Sequence, residues 1–197
     1  MSGAVETVRL AGTADTAESA RLHAAGIQDG FLPRLGPLVL ARLHRRMSRD
    51  GGSFVLVAGE SGQVIGFVAG TVSVGALYRS FLLRDGPVAA VLAAPRVPRV
   101  WRPALETLRY PSRSDPEWPA AELLAIAVSD DVRHRGVGRA LTLALQDELR
   151  RRGVDRAKVV VGSGNQAAIG LYRSCGFQPA GSVEVHAGHR SEVLVWP

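Results

Sequence analysis

Residues 121–140 read AELLAIAVSDDVRHRGVGRA, and the fold turns on how this stretch is parsed. Ala121–Val128 is almost wholly apolar, the pattern of a strand covered on both faces. A polar turn follows, and Gly136 and Gly138 then stand at the start of a helix predicted over 136–152. Its apolar residues Val137, Ala140, Leu141, Ala144, Leu145 and Leu149 recur at helical spacing, and Gly153 ends it. The unit is strand, glycine-bearing loop, helix. A helix starting at such a loop aims free N–H groups and the positive end of its dipole into it. Arg133, Arg135 and Arg139 add charge, and glycines without Cβ atoms let a ligand approach the backbone. Those features suit a pyrophosphate. The spacing is neither G-x-x-x-x-G-K-[ST] nor G-x-G-x-x-G, so this is not a Walker loop or a dinucleotide fingerprint.

Working outward, apolar runs alternate with helical stretches, as in α/β and α+β proteins. Val5–Leu10 reads as a first strand. Asp15 with Glu18 marks a capping-box start for a helix running to Gly26. Gly36-Pro37 opens a second helix ending near Ser48. Residues 53–59 and 64–74 read as a hairpin. After the unit at 121–152 come a strand at 157–162, a helix capped by Asn165 with inner face Ala168, Leu171, Tyr172 and Cys175, and two strands at 178–186 and 191–196. Residues 75–119 differ: they hold seven prolines and two of the three tryptophans. Helical pieces are expected at 76–84, 87–94 and 101–109, as an insertion inside one domain spanning 1–197.

Composition narrows the function classes. Cys175 is the only cysteine, which excludes an internal disulfide framework and a cysteine-built zinc site. It lies on a buried helix face and reads as a small hydrophobe. The five histidines, among them His23, His44, His186 and His189, show no metal spacing, so no metal is expected. No apolar run reaches the roughly 18 residues of a membrane span. No secretory leader is visible, and a cytoplasmic location is expected. The net charge is +6 and the pI about 10.6. Yet 23 of 24 basic residues are arginine, the exception being Lys158, and Asn165 is the only asparagine. That bias resembles a GC-rich genome's, and the charge is scattered. Neither a nucleic acid nor a membrane is therefore expected as partner.

The run R-x-x-G-x-G at Arg133–Gly138, preceded by AIAV and followed by AL, resembles the acetyl-CoA-binding motif of the GNAT acetyltransferase superfamily. Downstream, Asn165–Phe177 reads NQAAIGLYRSCGF and resembles the family's second signature, N-x-x-A-x-x-L-Y-x-x-x-G-F. The close match covers 121–177. His134, where glycine is common, and Ser129, where proline often stands, depart from it. The resemblance implies a mixed, mostly antiparallel twisted sheet of about seven strands flanked by helices. It implies that acetyl-CoA lies between the strand at 121–128 and the next. Backbone groups of Ile126, Ala127 and Val128 would hold its arm, and Arg133, His134, Arg135, Gly136, Val137, Gly138, Arg139 and Ala140 its pyrophosphate. Asn165, Ala168 and Tyr172 would complete the cofactor side.

Two proton-transfer roles follow from the chemistry of amine acetylation. An alkyl ammonium must lose a proton before it attacks a thioester. Glu122 is the first candidate base, because strict alternation puts it on the face of Leu124, Ile126 and Val128; the alternative is a solvated residue at the strand entrance. Glu60 is the second, against a plain turn role. Tyr172 matches the position that in relatives protonates the leaving thiolate; its alternative is core packing. The expected function is an acetyl-CoA-dependent N-acetyltransferase acting on a small primary amine, with the acceptor entering between the helices at 16–48 and the insertion. A peptide or protein acetyltransferase and a non-catalytic acyl-CoA-binding module are the rivals. Apolar surface on the insertion and final strands suits a homodimer.

Overall fold

The computed structural model describes residues 7–27, 36–93, 117–186 and 189–197. The helix expected at 101–109, Trp101 and the first two residues of the strand expected at 5–10 lie outside these. Seven strands form one sheet in the order β1-β2-β3-β4-β5-β7-β6. They are β1 (Thr7–Leu10), β2 (Ser53–Glu60), β3 (Gln63–Thr71), β4 (Glu122–Val128), β5 (Ala157–Gly162), β6 (Gln178–His186) and β7 (His189–Trp196). Every pairing is antiparallel except β4 with β5. The helices are α1 (Thr16–Gly26), α2 (Pro37–Met47), α3 (Val74–Ala93), α4 (Val137–Arg151) and α5 (Gln166–Ser174). This is the mixed, mostly antiparallel α/β architecture expected.

Two apolar layers cover the sheet. On one face Leu141, Leu145 and Leu149 of α4 and Ile169 and Tyr172 of α5 pack against Phe54, Val68, Leu123, Val159 and Leu194. On the other, Leu22 of α1, Leu43 and Met47 of α2 and Leu77 of α3 pack against Val55, Phe67, Ala69, Ala125 and Ala127. The hairpin turn is shorter than the sequence suggests. Ser61 and Gly62 alone make it, both at positive φ, the geometry of a tight two-residue connection.

Two local expectations are corrected. Asp15 does not cap α1 with its side chain. A short 3-10 turn precedes the helix, and the Asp15 carboxylate accepts from the Gly12 amide at 2.8 Å and pairs with Arg9 at 2.7 Å. The pieces at 76–84 and 87–94 are one helix, α3, with Pro87 inside it. A proline disfavours helical backbone in the residue before it through a clash with that residue's Cβ. Here that residue is Gly86, which has none. The Pro87 side chain lies on the exposed face. Asp85, two residues earlier, is buried and ties α3 to α2 through Arg42 (2.9 Å) and Arg46 (2.6 Å).

Candidate active site

The site is built where β4 parts from β5. Their parallel ladder has two registered pairs, Glu122 with Lys158 and Leu123 with Val159. Beyond these, β4 stays paired with β3 and β5 stays paired with β7, so the two edges diverge. Strand alternation fixes which groups face the gap. The Ser129 amide donates to the Ile65 carbonyl of β3 at 2.8 Å. The main-chain groups of Ala127 therefore face β3, and those of Ile126 and Val128 face the gap. Ala127 does not share that edge: its side chain packs under α1, where a Cβ on Gly26 would meet it at 2.8 Å.

The loop after β4 is pinned at both ends. Val132 and Val137 are buried in the core, whereas residues 133–136 between them are exposed. Gly136 is the N-cap of α4 at φ +82°, and a Cβ there would meet nothing within 4 Å. The first amide that donates back into this helix is Ala140, to the Gly136 carbonyl at 2.9 Å. Among the described residues, the amides of Val137, Gly138 and Arg139 have no acceptor, as expected for a helix start. Gly138 has another neighbour: a Cβ there would stand 3.2 Å from Leu171 Cδ2 and 3.9 Å from Val128 Cγ2. Its smallness lets α5 close on the end of β4. His134 adopts φ +64°, a left-handed conformation that side-chain-bearing residues rarely take. That explains why glycine is common at this position in the motif. Arg133 pairs with Asp130 at 2.6 Å, Arg135 approaches Glu60 at 3.8 Å, and Arg139 is exposed. Glu60 thus belongs to the loop's surroundings, at the end of β2. Ala140 is half-buried inside the first turn of α4.

Asn165 caps α5, its side-chain oxygen accepting from the Ala168 amide at 3.1 Å. Ala168 and Leu171 pack on the same cluster as Ile126 and Val128. Tyr172 belongs to that cluster too, 4% exposed, with its ring 5.7 Å from Phe177. Its hydroxyl makes no hydrogen bond among the described residues. Burial, with a smaller contribution from Cys175, raises its pKa above the ordinary tyrosine value. It therefore stays a protonated donor across the working pH range. Cys175 is buried on the same face.

Glu122 departs from its expected orientation. The β3–β4 register pairs Ala69 with Ala125 but Gly70 with Leu123, so Leu124 is an extra residue, a β-bulge. The bulge resets the alternation. Leu123 joins the α4/α5 cluster with Ile126 and Val128, whereas Leu124 joins Ala125 and Ala127 on the α1–α3 face. Glu122 consequently faces α3, opposite the side chains of Ile126 and Val128. It is 6% exposed, and its carboxylate lies 3.7 Å from the Lys158 ammonium. From α3, the Tyr78 phenol is held well above its usual pKa, first by burial and then by the Glu122 charge. Lys158 and Tyr78 were not singled out as site residues. Being the only lysine was the one signal in the sequence for Lys158.

An open concavity of about 540 Å³ lies at the other end of β4, lined by Val72, residues 117–121 and residues 153–156. It touches neither the loop nor Tyr172. Among the described residues no group of His, Cys, Asp and Glu is arranged to hold a metal.

Known proteins share this fold. The acetyltransferase (GNAT) family model matches residues 27–177. The ribosomal-protein-S18-alanine N-acetyltransferase from Escherichia coli superposes with a TM-score of 0.62 at 19% identity, over 97% of this chain and 92% of that one. The ribosomal-protein-alanine N-acetyltransferase from Brucella melitensis gives 0.62 at 19%, over 96% and 98%. YncA from Salmonella typhimurium, solved with its cofactor acetyl-CoA, gives 0.61 at 21%, over 96% and 91%. Among proteins of curated function, none matches the sequence.

Proposed function

This chain belongs to the GNAT acetyltransferase family, and on that premise we propose that it transfers the acetyl group of acetyl-CoA to the primary amine of a small molecule. The observation that carries the proposal is the gap between β4 and β5, which opens directly onto the amides at the start of α4. A Cβ-free N-cap with open space before it, three amides without acceptors among the described residues and exposed arginines suit a diphosphate. The outward-facing main chain of Ile126 and Val128 suits an amide-bearing arm laid along the strand edge, as in strand addition. The Val128 amide then polarises the thioester carbonyl, stabilising the charge that develops on its oxygen. Acetyl-CoA is the cosubstrate.

The acceptor nitrogen attacks the thioester carbon, and the carbon–sulfur bond breaks as the carbon–nitrogen bond forms. The nitrogen loses a proton and the thiolate gains one. Glu122, on the α1–α3 face of β4, is the group we assign to take the first through intervening water. Tyr172, on the α5 side with a firmly held proton, is assigned to supply the second. Holding both reactants in line supplies most of the rate. The reading of a small acceptor leans on α3, which Asp85 ties to α2 on the face that Glu122 shares.

Two structural neighbours are named for acting on a ribosomal-protein alanine, so a peptide N-terminus is the rival acceptor. Thiol release from acetyl-CoA decides between them. The full chain is mixed with a panel of amino sugars, aminoglycosides and amino acids, and separately with peptides bearing free N-termini. Release with small amines alone supports the proposal, and release with peptides alone overturns the acceptor class. Acetyl-CoA binding by calorimetry without release from any amine would leave a non-catalytic binding module.

A further inference from the structure

The sequence holds one lysine among 24 basic residues. It does not decorate the surface. Lys158 is in β5, 4% exposed, beside Glu122 in the last part of the β4–β5 ladder before the strands separate. The two side chains project to the α1–α3 face, and the ammonium stands 3.7 Å from the carboxylate. A carboxyl group this deeply buried ordinarily drifts toward its neutral form, and an opposite charge within about 4–6 Å reverses that drift. The lysine ammonium is a compact point charge on a flexible stem, able to reach the carboxylate from the neighbouring strand.

We propose that Lys158 is a positioning residue that keeps the Glu122 carboxylate ionised on the acceptor side of β4. The inference rests on the assignment of Glu122 as base. A neutral Glu122 neither attracts an ammonium nor accepts its proton; an ionised one does both. The groups facing Glu122 among the described residues are Lys158 from β5, the Tyr78 phenol from α3 and the uncharged Thr71 paired with it on β3. His23 and His44 lie farther along the face, against Phe67, which pairs with Ala127 at the other end of β4.

Because the lysine is unique, a protein labelled with ¹³C-lysine gives a single Cε resonance. Titrated on the full chain, that resonance is expected to show an inflection on the acid side from Glu122, absent in Glu122→Gln. An inflection at or above pH 7, or one that persists in Glu122→Gln, overturns the proposal without reference to activity. The kinetic arm uses kcat/KM against pH. Lys158→Met is expected to move the acid limb upward by about one to three pH units. Lys158→Arg, retaining the charge, is expected to leave the limb within about half a unit, with acetyl-CoA affinity by calorimetry unchanged within about twofold in both. A limb that stays put in Lys158→Met refutes the role even if turnover falls. If the wild-type protein releases no thiol with any amine tested, the functional reading fails by itself, and the resonance titration still decides the ion pair.

Discussion

Replacing Gly136 by alanine separates two ways in which a glycine can matter. Gly136 holds φ +82°, and a Cβ there meets nothing, so the substitution has no steric cost. It has a conformational one. A left-handed residue with a Cβ costs about 1–2 kcal/mol, and alanine is also a poorer N-cap than glycine, by up to about 1 kcal/mol. Reduced freedom of the unfolded chain returns about 0.4–1 kcal/mol. The net expected loss is about 1–2 kcal/mol. With a urea slope of about 2 kcal/mol per molar, that lowers the unfolding midpoint by about 0.5–1 M at constant slope. If the backbone relaxes out of the left-handed region instead, the amides of Val137, Gly138 and Arg139 turn away from the gap. Acetyl-CoA affinity by calorimetry is then expected to fall at least tenfold. Gly138→Ala is the contrast: its Cβ would stand 3.2 Å from Leu171, so its cost is crowding between α5 and β4. A Gly136→Ala protein with wild-type midpoint and wild-type affinity would refute the reasoning that the left-handed turn presents the amides.

Three further outcomes are expected. Tyr172→Phe should lower kcat by tenfold or more with acetyl-CoA affinity nearly unchanged. Its thermal midpoint should stay close to that of the unchanged protein, because the hydroxyl makes no hydrogen bond among the described residues and the ring keeps its packing. His134→Val should destabilise the fold by about 1–2 kcal/mol in urea titration although the side chain is exposed, whereas His134→Gly should be neutral or stabilising; equal effects would show that the loop is unstrained. The third concerns pH. His23 and His44 are buried and hydrogen-bonded to each other at 3.1 Å, with His44 also bonded to Ser19 at 2.8 Å. Burial lowers their pKa values to about 4 and about 3, with His23 adding to the shift of His44. Both are therefore neutral when folded, and the unfolded chain binds more protons below its histidine pKa of about 6.5. Stability should be full above that pH and fall as pH drops toward 4, by up to ~1.4 kcal/mol per pH unit for each histidine. Unfolding midpoints from pH 7.5 to 4.5 check this; a flat profile, or one unchanged in His23→Gln/His44→Gln, contradicts it.

Much of the site was legible in the sequence because its signals are local. The helical stripe from Val137 to Leu149, the glycine at the start of α4 and the Asn165 cap act within one or two turns of chain, and the structure contains each. The strands were found to within a few residues, since apolar runs bounded by turn residues specify little else.

What escaped was decided between elements. Alternation along AELLAIAV puts Glu122 with Ile126 and Val128, and that holds only for an unbroken strand. One extra residue, Leu124, accommodated against β3, turns Glu122 to the opposite face. No property of Leu124 announces this, because a bulge is a relation between two strands. The gap beside β4 is likewise a matter of pairing: β5 takes β7 as its neighbour where β4 keeps β3. The Glu122–Lys158 contact joins residues distant in sequence, and α3 runs through Pro87 with its Asp85 clamped against α2. The sequence alone determined which segments form helices and strands and where a glycine-bearing loop opens α4, because hydrophobic period and backbone conformation are short-range. Only the tertiary structure decided which way the acidic group points and where the sheet opens, because register and packing are set by the partner strand.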